Sequence, residues 1–504
     1  MRLMWRRRRK LRGDSVPAQP TTLRMAVVLS SLQQYTDLMV TFPSIMILSR
    51  LLTPAQIGVY SVAVTFVNLV HMLRDFGTSE YIVQADRLDT GKPQTAFTIT
   101  WIIAWALAAA LFFASPLIAA FFREPDLTQV LRILSITYLL LPIGSTTGSM
   151  LVRDLQFGIR YKINTSQLVV QNAVTIVLAW YGFGYFSPAW GAVAGMLTTV
   201  AGCLYWGRHY RIRGLGLAHW REVGDFGVKK TVGSIMNRLG DSAPDFVIGR
   251  MLGFSAVGMF SRGFGLVRLF RDNVSAAIGT VAYSALSQRH REGRSAAELY
   301  LRSITFITGL GWPFLGFASL MAFPIIRIFF GDQWDMAVPI LRLLAIQVAI
   351  SLVVMHYQDL LTAIGRVGTA TAWVTIWQML TVATLLIAAS YGLVAIAAAL
   401  IPTTVVLVGL VVIGIARETG IGLRAYLHAL APSALLALTT LVPVAGCRLV
   451  YPPAADALWG PILCAGAAAL AGAVIGGLWT RHPLWLEIVQ AYRHRRPRRE
   501  NASA

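Results

Sequence analysis

Residues 93–122 read PQTAFTITWIIAWALAAALFFASPLIAAFF, thirty residues without one Asp, Glu, Lys or Arg. A helix rises about 1.5 Å per residue, so this stretch is long enough to cross the roughly 30 Å hydrocarbon core of a bilayer. It is apolar all round and lacks the polar face that a soluble domain needs on its surface helices. Three further blocks are equally free of charge: Ile163–Gly207, Ser303–Ile326 and Val367–Ala416. The first and last of these have room for a pair of spans, the middle one for a single span.

The rest of the chain follows the same pattern. Its 504 residues are 56% hydrophobic and only 13% charged, with a mean hydropathy of +0.61. That is too little charge to cover a soluble protein of this length. Hydropathy predicts helices at 24–49, 57–83, 95–122, 127–150, 165–185, 188–207, 227–249, 256–285, 301–330, 336–364, 367–389, 392–416, 425–447 and 459–480. The expected fold is all-α and integral to the membrane, with about fourteen transmembrane helices.

The net charge of +21 raises the question of nucleic-acid binding. Its placement argues for a membrane surface instead. Arg6, Arg7, Arg8, Arg9 and Lys10 form one tail, and Arg493, Arg495, Arg496, Arg498 and Arg499 the other. Counted from a cytoplasmic N-terminus, the tails and cytoplasmic loops hold most of the 44 Lys and Arg residues. Periplasmic loops hold only Arg50, Arg123, Arg250 and Arg448. This is the positive-inside asymmetry of a bacterial inner-membrane protein with both termini in the cytoplasm. The Arg-rich start leads through a polar stretch into a full-length span, so no cleavable signal is expected. Cys203, Cys447 and Cys464 lie in apolar stretches with no metal-ligand spacing, as small core residues do.

An internal repeat organises these spans. Ser49-Arg50-Leu51-Leu52 precedes Gly58 and Ser61, and 200 residues later Gly249-Arg250-Met251-Leu252 precedes Gly258 and Ser261. Phe121-Phe122, Asp126 and Leu131-Arg132-Ile133-Leu134 are echoed by Phe329-Phe330, Asp335 and Leu341-Arg342-Leu343-Leu344. A repeat of six helices keeps both halves in one orientation, and transporters built in this way place the substrate path between them. The expected division is a basic tail 1–23, an N-lobe 24–210, a linker 211–226, a C-lobe 227–417, two extra helices within 425–480, and a basic tail 481–504.

No phosphate-binding glycine loop, His-Glu-x-x-His or Gly-x-Ser-x-Gly motif is present, so the chain does not read as an enzyme. Charges inside spans carry the information, because they are costly in lipid and face a cavity or a partner. The first helix bears Gln34, Asp37, Thr41 and Ser44 on one stripe, and the seventh bears Ser234, Arg238, Asp241 and Asp245. The second carries His71, Arg74 and Asp75, the eighth Arg262, Arg268, Arg271 and Asp272, and the tenth His356 and Asp359. Arg268 and Arg271 stand one helical turn apart with little acid nearby, which suits them to an anionic head group. Arg74, Arg238 and Arg262 are lesser candidates for the same role. Asp37, Asp75, Asp241, Asp245 and His71 are candidates for shaping a cavity or coupling transport to an ion. Static interhelical ion pairs remain the plain alternative for Arg74–Asp75 and Arg238–Asp241. His71 and His356 can equally be satisfied hydrogen-bonding residues, and Arg50 and Arg250 can snorkel.

The run Leu48-Ser-Arg-Leu-Leu-Thr-Pro-Ala-Gln-Ile-Gly58 resembles the ARLLTPEDFG signature of Wzx-type oligosaccharide flippases, the polysaccharide exporter branch of the MATE/MurJ-like MOP superfamily. Asp75-Phe76-Gly77 with Ile82-Val83-Gln84, Tyr181-Gly-Phe-Gly184 with Ala189-Trp190-Gly191-Ala192, Gly258-Met-Phe-Ser-Arg262 and Gly331-Asp-Gln-Trp334 extend the resemblance over residues 24–365. Ser284 stands where a proline is expected, and Phe260 and Gly263 where Tyr and Ala are. The resemblance implies two parallel six-helix lobes that rock about a cationic cavity, with the two extra helices as an appendix. It implies an undecaprenyl-pyrophosphate-linked oligosaccharide as substrate, an exopolysaccharide or O-antigen repeat unit. No cofactor is implied beyond coupling to H+ or Na+. The implied partners are membrane lipids and a glycan polymerase with its chain-length machinery, and no nucleic acid. A MATE-like drug or small-solute antiporter and a lipid II flippase are alternatives on the same fold. A membrane glycosyltransferase would need an acidic extramembrane loop, whereas the largest internal loop, 208–226, is basic.

Overall fold

Each of the predicted apolar segments contains a helix in the computed structural model, which describes residues 23–75, 77–84, 91–210, 212, 214–455 and 457–487. Some side chains within the helices, those of Arg74, Asp75, Arg238 and Asp241 among them, also lie outside the described residues. In chain order the first helices are α1 Leu23–Leu51, α2 Pro54–Asp75, α3 Thr78–Gln84, α4 Gly91–Phe122, α5 Asp126–Arg153, α6 Phe157–Trp180 and α7 Phe186–Tyr205. There follow α8 Trp220–Leu252, α9 Phe254–Arg291, α10 Ala297–Leu320, α11 Ala322–Phe330, α12 Ala337–Ser351 and α13 Tyr357–Ala363. The last are α14 Val367–Ala389, α15 Leu393–Thr419, α16 Leu423–Val450 and α17 Trp459–Trp479. By length and composition, nine spans among the described residues can cross a membrane unaided. The remaining long helices are α1, α2, α6, α8 and α9, and all but α6 carry the charged candidates.

Three predicted segments are broken in two. The second divides at Gly77, whose φ of 61° cannot continue a right-handed helix. The ninth divides at Met321 because Pro324 has no N–H for the Leu320 carbonyl and its ring crowds that carbonyl. The tenth divides at His356, with φ at 65°.

The helices group into two units. In unit 1, the residues up to Leu52 together with Ala63–Ile235, α4 packs on α5, and α7 on both α5 and α6. In unit 2, Thr53–Val62 together with Met236 onward, α10 packs on α12, and α15 on both α12 and α14. The repeat makes α4, α5, α6 and α7 equivalent to α10, α12, α14 and α15, so both units use one neighbour pattern. The division passes through α2 at Val62 and through α8 at Ile235. Within unit 2, α16 and α17 pack on each other and α16 lies on α10, an addition to the six-helix plan.

The signature run is a corner between α1 and α2. Thr53 Oγ1 accepts from the Gln56 N–H at 3.3 Å and Gln56 Oε1 accepts from the Thr53 N–H at 3.0 Å, a capping box with Pro54 at the first helical position. Hydroxyls inside apolar spans return to their own backbone. Thr98 donates to the Gln94 carbonyl and Thr100 to that of Ala96, each at 2.8 Å, which satisfies them away from water.

Candidate functional site

The helix α9 runs for 38 residues, and its centre is charged. Asp272 accepts from Arg268 Nε through one carboxylate oxygen at 3.4 Å and from Arg271 Nε through the other at 3.0 Å. The spacing explains the arrangement: residues three and four apart share a helical face, and Asp272 lies one turn after Arg268 and next to Arg271. Two guanidinium groups thus share one carboxylate, leaving a formal charge of +1 at mid-helix. Their remaining N–H groups are open, with Arg268 52% and Arg271 31% exposed in the absence of lipid or ligand. Arg271 also lies over the Phe264 ring at 5.7 Å, which limits the directions its fork can take.

Arg262 stands six residues earlier, about 9 Å along the same helix. Its guanidinium lies 5.8 Å from the Phe330 ring and 5.4 Å from that of the fully buried Trp334. Those aromatic partners belong to the Gly331–Trp334 motif and its preceding helix, so two separate stretches of the resemblance meet at one cation–π contact.

The other candidates are dispersed. On α1, Asp37 is half-buried with Gln33 as its hydrogen-bonding neighbour. His71 lies over Tyr138 of α5, ring centroids 5.0 Å apart. Asp245 is half-buried on α8. The side chains of Arg74, Asp75, Arg238 and Asp241 lie outside the described residues. Of the described candidates, only Arg268 and Arg271 are brought together, at Asp272 in unit 2.

Hydropathy left other features unmarked. His356 was visible as a polar residue in an apolar helix, but not as a left-handed break with Nδ1 2.6 Å from Asp359 Oδ2 and a buried Nε2 that has no partner among the described residues. Asn164, Arg160 and Glu80 line a cavity in unit 1. Their only sequence signal was a polar residue at or near the end of a predicted span.

Comparison with known proteins accounts for the motif resemblance. The family described as polysaccharide biosynthesis protein matches residues 47–339, more than half of the chain. The chain belongs to this family. The teichuronic acid biosynthesis protein TuaB of Bacillus subtilis (strain 168) is 25% identical over 317 residues, 59% of this chain and 62% of that protein. The lipopolysaccharide biosynthesis protein WzxC of Escherichia coli (strain K12) is 23% identical over 60% of this chain and 61% of that protein. The chain thus spans about three fifths of the length of these two relatives. The succinoglycan biosynthesis transport protein ExoT of Rhizobium meliloti (strain 1021) is 27% identical over 70% of each chain.

Solved structures show the fold. The lipid II flippase MurJ in an inward closed conformation superposes with a TM-score of 0.71 at 13% identity, over 90% of this chain and 99% of that one. An inward-facing multidrug resistance MATE family transporter of the MOP superfamily gives 0.63 at 16% identity, over 78% and 98%. The expected all-helical fold, shared with these two structures, is therefore borne out for a multi-pass membrane protein of a polysaccharide biosynthesis family.

Proposed function

We propose that this chain is a flippase that moves an undecaprenyl-pyrophosphate-linked oligosaccharide from the cytoplasmic to the periplasmic leaflet by alternating access. The observation that carries this reading is the half-neutralised guanidinium pair of Arg268 and Arg271 on α9. A cation left over in a membrane protein calls for an anion. Arginine binds phosphate through a planar fork and keeps its charge at any physiological pH. Pyrophosphate and sugar would lose many hydrogen bonds in hydrocarbon, so a polar path lowers the barrier while the polyprenyl tail stays in lipid. The names of the relatives, a teichuronic acid, a lipopolysaccharide and a succinoglycan protein, support a glycan as the cargo.

The test is glycan export in a deletion strain complemented by each variant, with protein level measured in parallel. Arg271→Ala should abolish export at normal protein level, and Arg271→Lys should restore part of it. Normal export by both Arg268→Ala and Arg271→Ala would remove the anion-binding role. Orientation belongs to the same proposal: cysteines placed beside Lys92, Arg160 and Arg291 should label from the cytoplasm, and periplasmic labelling there would reverse the direction of transport.

A further inference from the structure

Unit 1 contains a cavity of about 510 Å³ among α3, α5, α6 and α7. That volume falls within the roughly 300–1,000 Å³ of small-molecule sites. Local structure builds its walls. The positive φ of Gly77 lets the chain turn back into α3. Arg153 of α5 then holds the end of that helix by donating to the carbonyls of Ile82, at 2.6 Å, and Val83, at 3.2 Å. Thr78 and Thr100 share a buried hydrogen bond of 3.0 Å that fixes the start of α3 to α4. On the opposite side Gly144 and Gly148 of α5 leave space: a methyl group on Gly148 would meet no atom within 4 Å.

Polar groups converge on this space. Ser79 and Glu80 come from α3, Ser145 from α5, and Arg160 and Asn164 from α6. The Asn164 amide, the Ser145 hydroxyl and the Arg160 guanidinium have no protein partner among the described residues. Leu151, Ile163 and Cys203 supply apolar wall between them. The mixture selects the ligand class. A bare cation wants acceptors alone and would be repelled by Arg160. A phosphate wants donors alone and would be repelled by Glu80. Hydroxyl, amide, carboxylate and guanidinium together match a molecule that both donates and accepts along its edge. Apolar patches between them match its C–H faces. Sugar rings have both properties.

We propose that this cavity is a carbohydrate subsite of unit 1, taking one or two sugar rings against Asn164, Ser145, Arg160 and Glu80. The inference rests on the flippase reading for the source of the sugar, the glycan portion of the lipid-linked substrate. It adds a place where the chain recognises that glycan, on the other unit from the Arg268–Arg271 pair. In the expected orientation the turn between α5 and α6, beside Arg160, is cytoplasmic, the side on which such a substrate is assembled.

Binding can be read without transport. Gly148→Cys is introduced with Cys203→Ala, Cys447→Ser and Cys464→Ser, and the purified protein is alkylated with a small maleimide. Glucose, galactose, N-acetylglucosamine and lactose are the probes, with inorganic phosphate and phosphoethanolamine at equal concentration as comparators. At least one sugar should slow alkylation while the comparators do not. Adding Asn164→Ala, or Ser145→Ala if the former does not fold, should raise the half-protecting sugar concentration about fivefold to tenfold, the loss expected for one hydrogen bond. The proposal is overturned if no sugar protects, if phosphate or phosphoethanolamine protects equally, or if a folded variant is protected at unchanged concentration. Glycan export in the deletion strain complemented by the unsubstituted chain reports on the flippase reading separately. Protection by a sugar without restored export would leave the subsite standing and remove the flippase assignment; restored export without protection would do the opposite.

Discussion

Gly58 and Gly258 occupy the two halves of one reciprocal contact. A Cβ on Gly58 would overlap the backbone carbonyl of Phe254, and a Cβ on Gly258 would overlap that of Pro54. All four residues belong to unit 2, and each pair is related by the 200-residue offset of the repeat. The first turns of α2 and α9 therefore cross backbone to backbone, which only glycine permits. Replacing either glycine by alanine should destabilise the protein by about 1–3 kcal/mol. The two losses should be similar in size, and the double variant should lose less than their sum, because one displacement of the helices relieves both clashes. Thermal unfolding of purified single and double variants checks this. Unequal or strictly additive shifts would show that the crossing is not shared.

The same corner shows how much of the fold was legible. Hydropathy placed a helix end at 49 and a helix start at 57 here, and the Thr53–Gln56 capping box starts α2 at Pro54, three residues earlier. Charge-free blocks were legible too, since few other structures accommodate thirty uncharged, mostly apolar residues in a row. Breaks inside apolar segments were not. Hydropathy does not register a backbone torsion, so the left-handed His356 and the Pro324 interruption passed unseen. Arg268 and Arg271 could be placed on one face from spacing alone, but their sharing of Asp272 depends on rotamers. The unit 1 cavity is built from four different helices, and spacing along one helix carries no sign of it.

His482 should make unit 2 sensitive to mild acid. It follows α17, is fully buried, and accepts at Nδ1 from the Leu484 N–H at 3.2 Å. The proton then sits on Nε2, which donates to Ser433 Oγ at 3.1 Å, and Ser433 donates to the Thr305 carbonyl at 3.0 Å. A second proton would face the Leu484 donor, and burial holds the imidazole below its ordinary value of 6.5. The folded state thus binds fewer protons than the unfolded one. This contribution to stability is complete above the ordinary value and is lost as pH falls through the lower folded value. Arg481 adjoins His482 in sequence, and Arg302 and Glu487 pair with each other at 2.7 Å. Melting temperature should be flat above pH 7 and fall below about pH 6, and His482→Asn should flatten that fall. An unchanged slope in the variant would assign the acid sensitivity elsewhere.

His356 offers a test of backbone strain. Its φ of 65° is unfavourable for a residue with a Cβ, by roughly 1–2 kcal/mol. Its hydrogen bond to Asp359 offsets part of that cost. His356→Ala loses the bond and keeps the strain, whereas His356→Gly loses the bond and the strain together. The glycine variant should melt above the alanine variant. The reverse order would mean that the side chain, and not the torsion, sets the conformation at this break.

Asp272 separates the two accounts of the arginine pair. If Arg268 and Arg271 serve only as static partners of this carboxylate, Asp272→Asn should harm the protein as much as removal of the arginines does, because each change leaves unmatched charge in the membrane. A triple variant that neutralises all three charges should then recover. If the pair holds a pyrophosphate, the outcomes differ. Asp272 competes with the ligand for both guanidinium groups. Asp272→Asn should therefore preserve export, and the affinity for a soluble prenyl pyrophosphate should rise. Arg271→Ala should weaken that affinity by about tenfold to a hundredfold, the range for a charge-assisted hydrogen bond. Export per unit of protein and pyrophosphate binding by the purified variants can be measured side by side. Loss of both in Asp272→Asn, with recovery of export in Arg268→Gln/Arg271→Gln/Asp272→Asn, would make the cluster a structural ion pair.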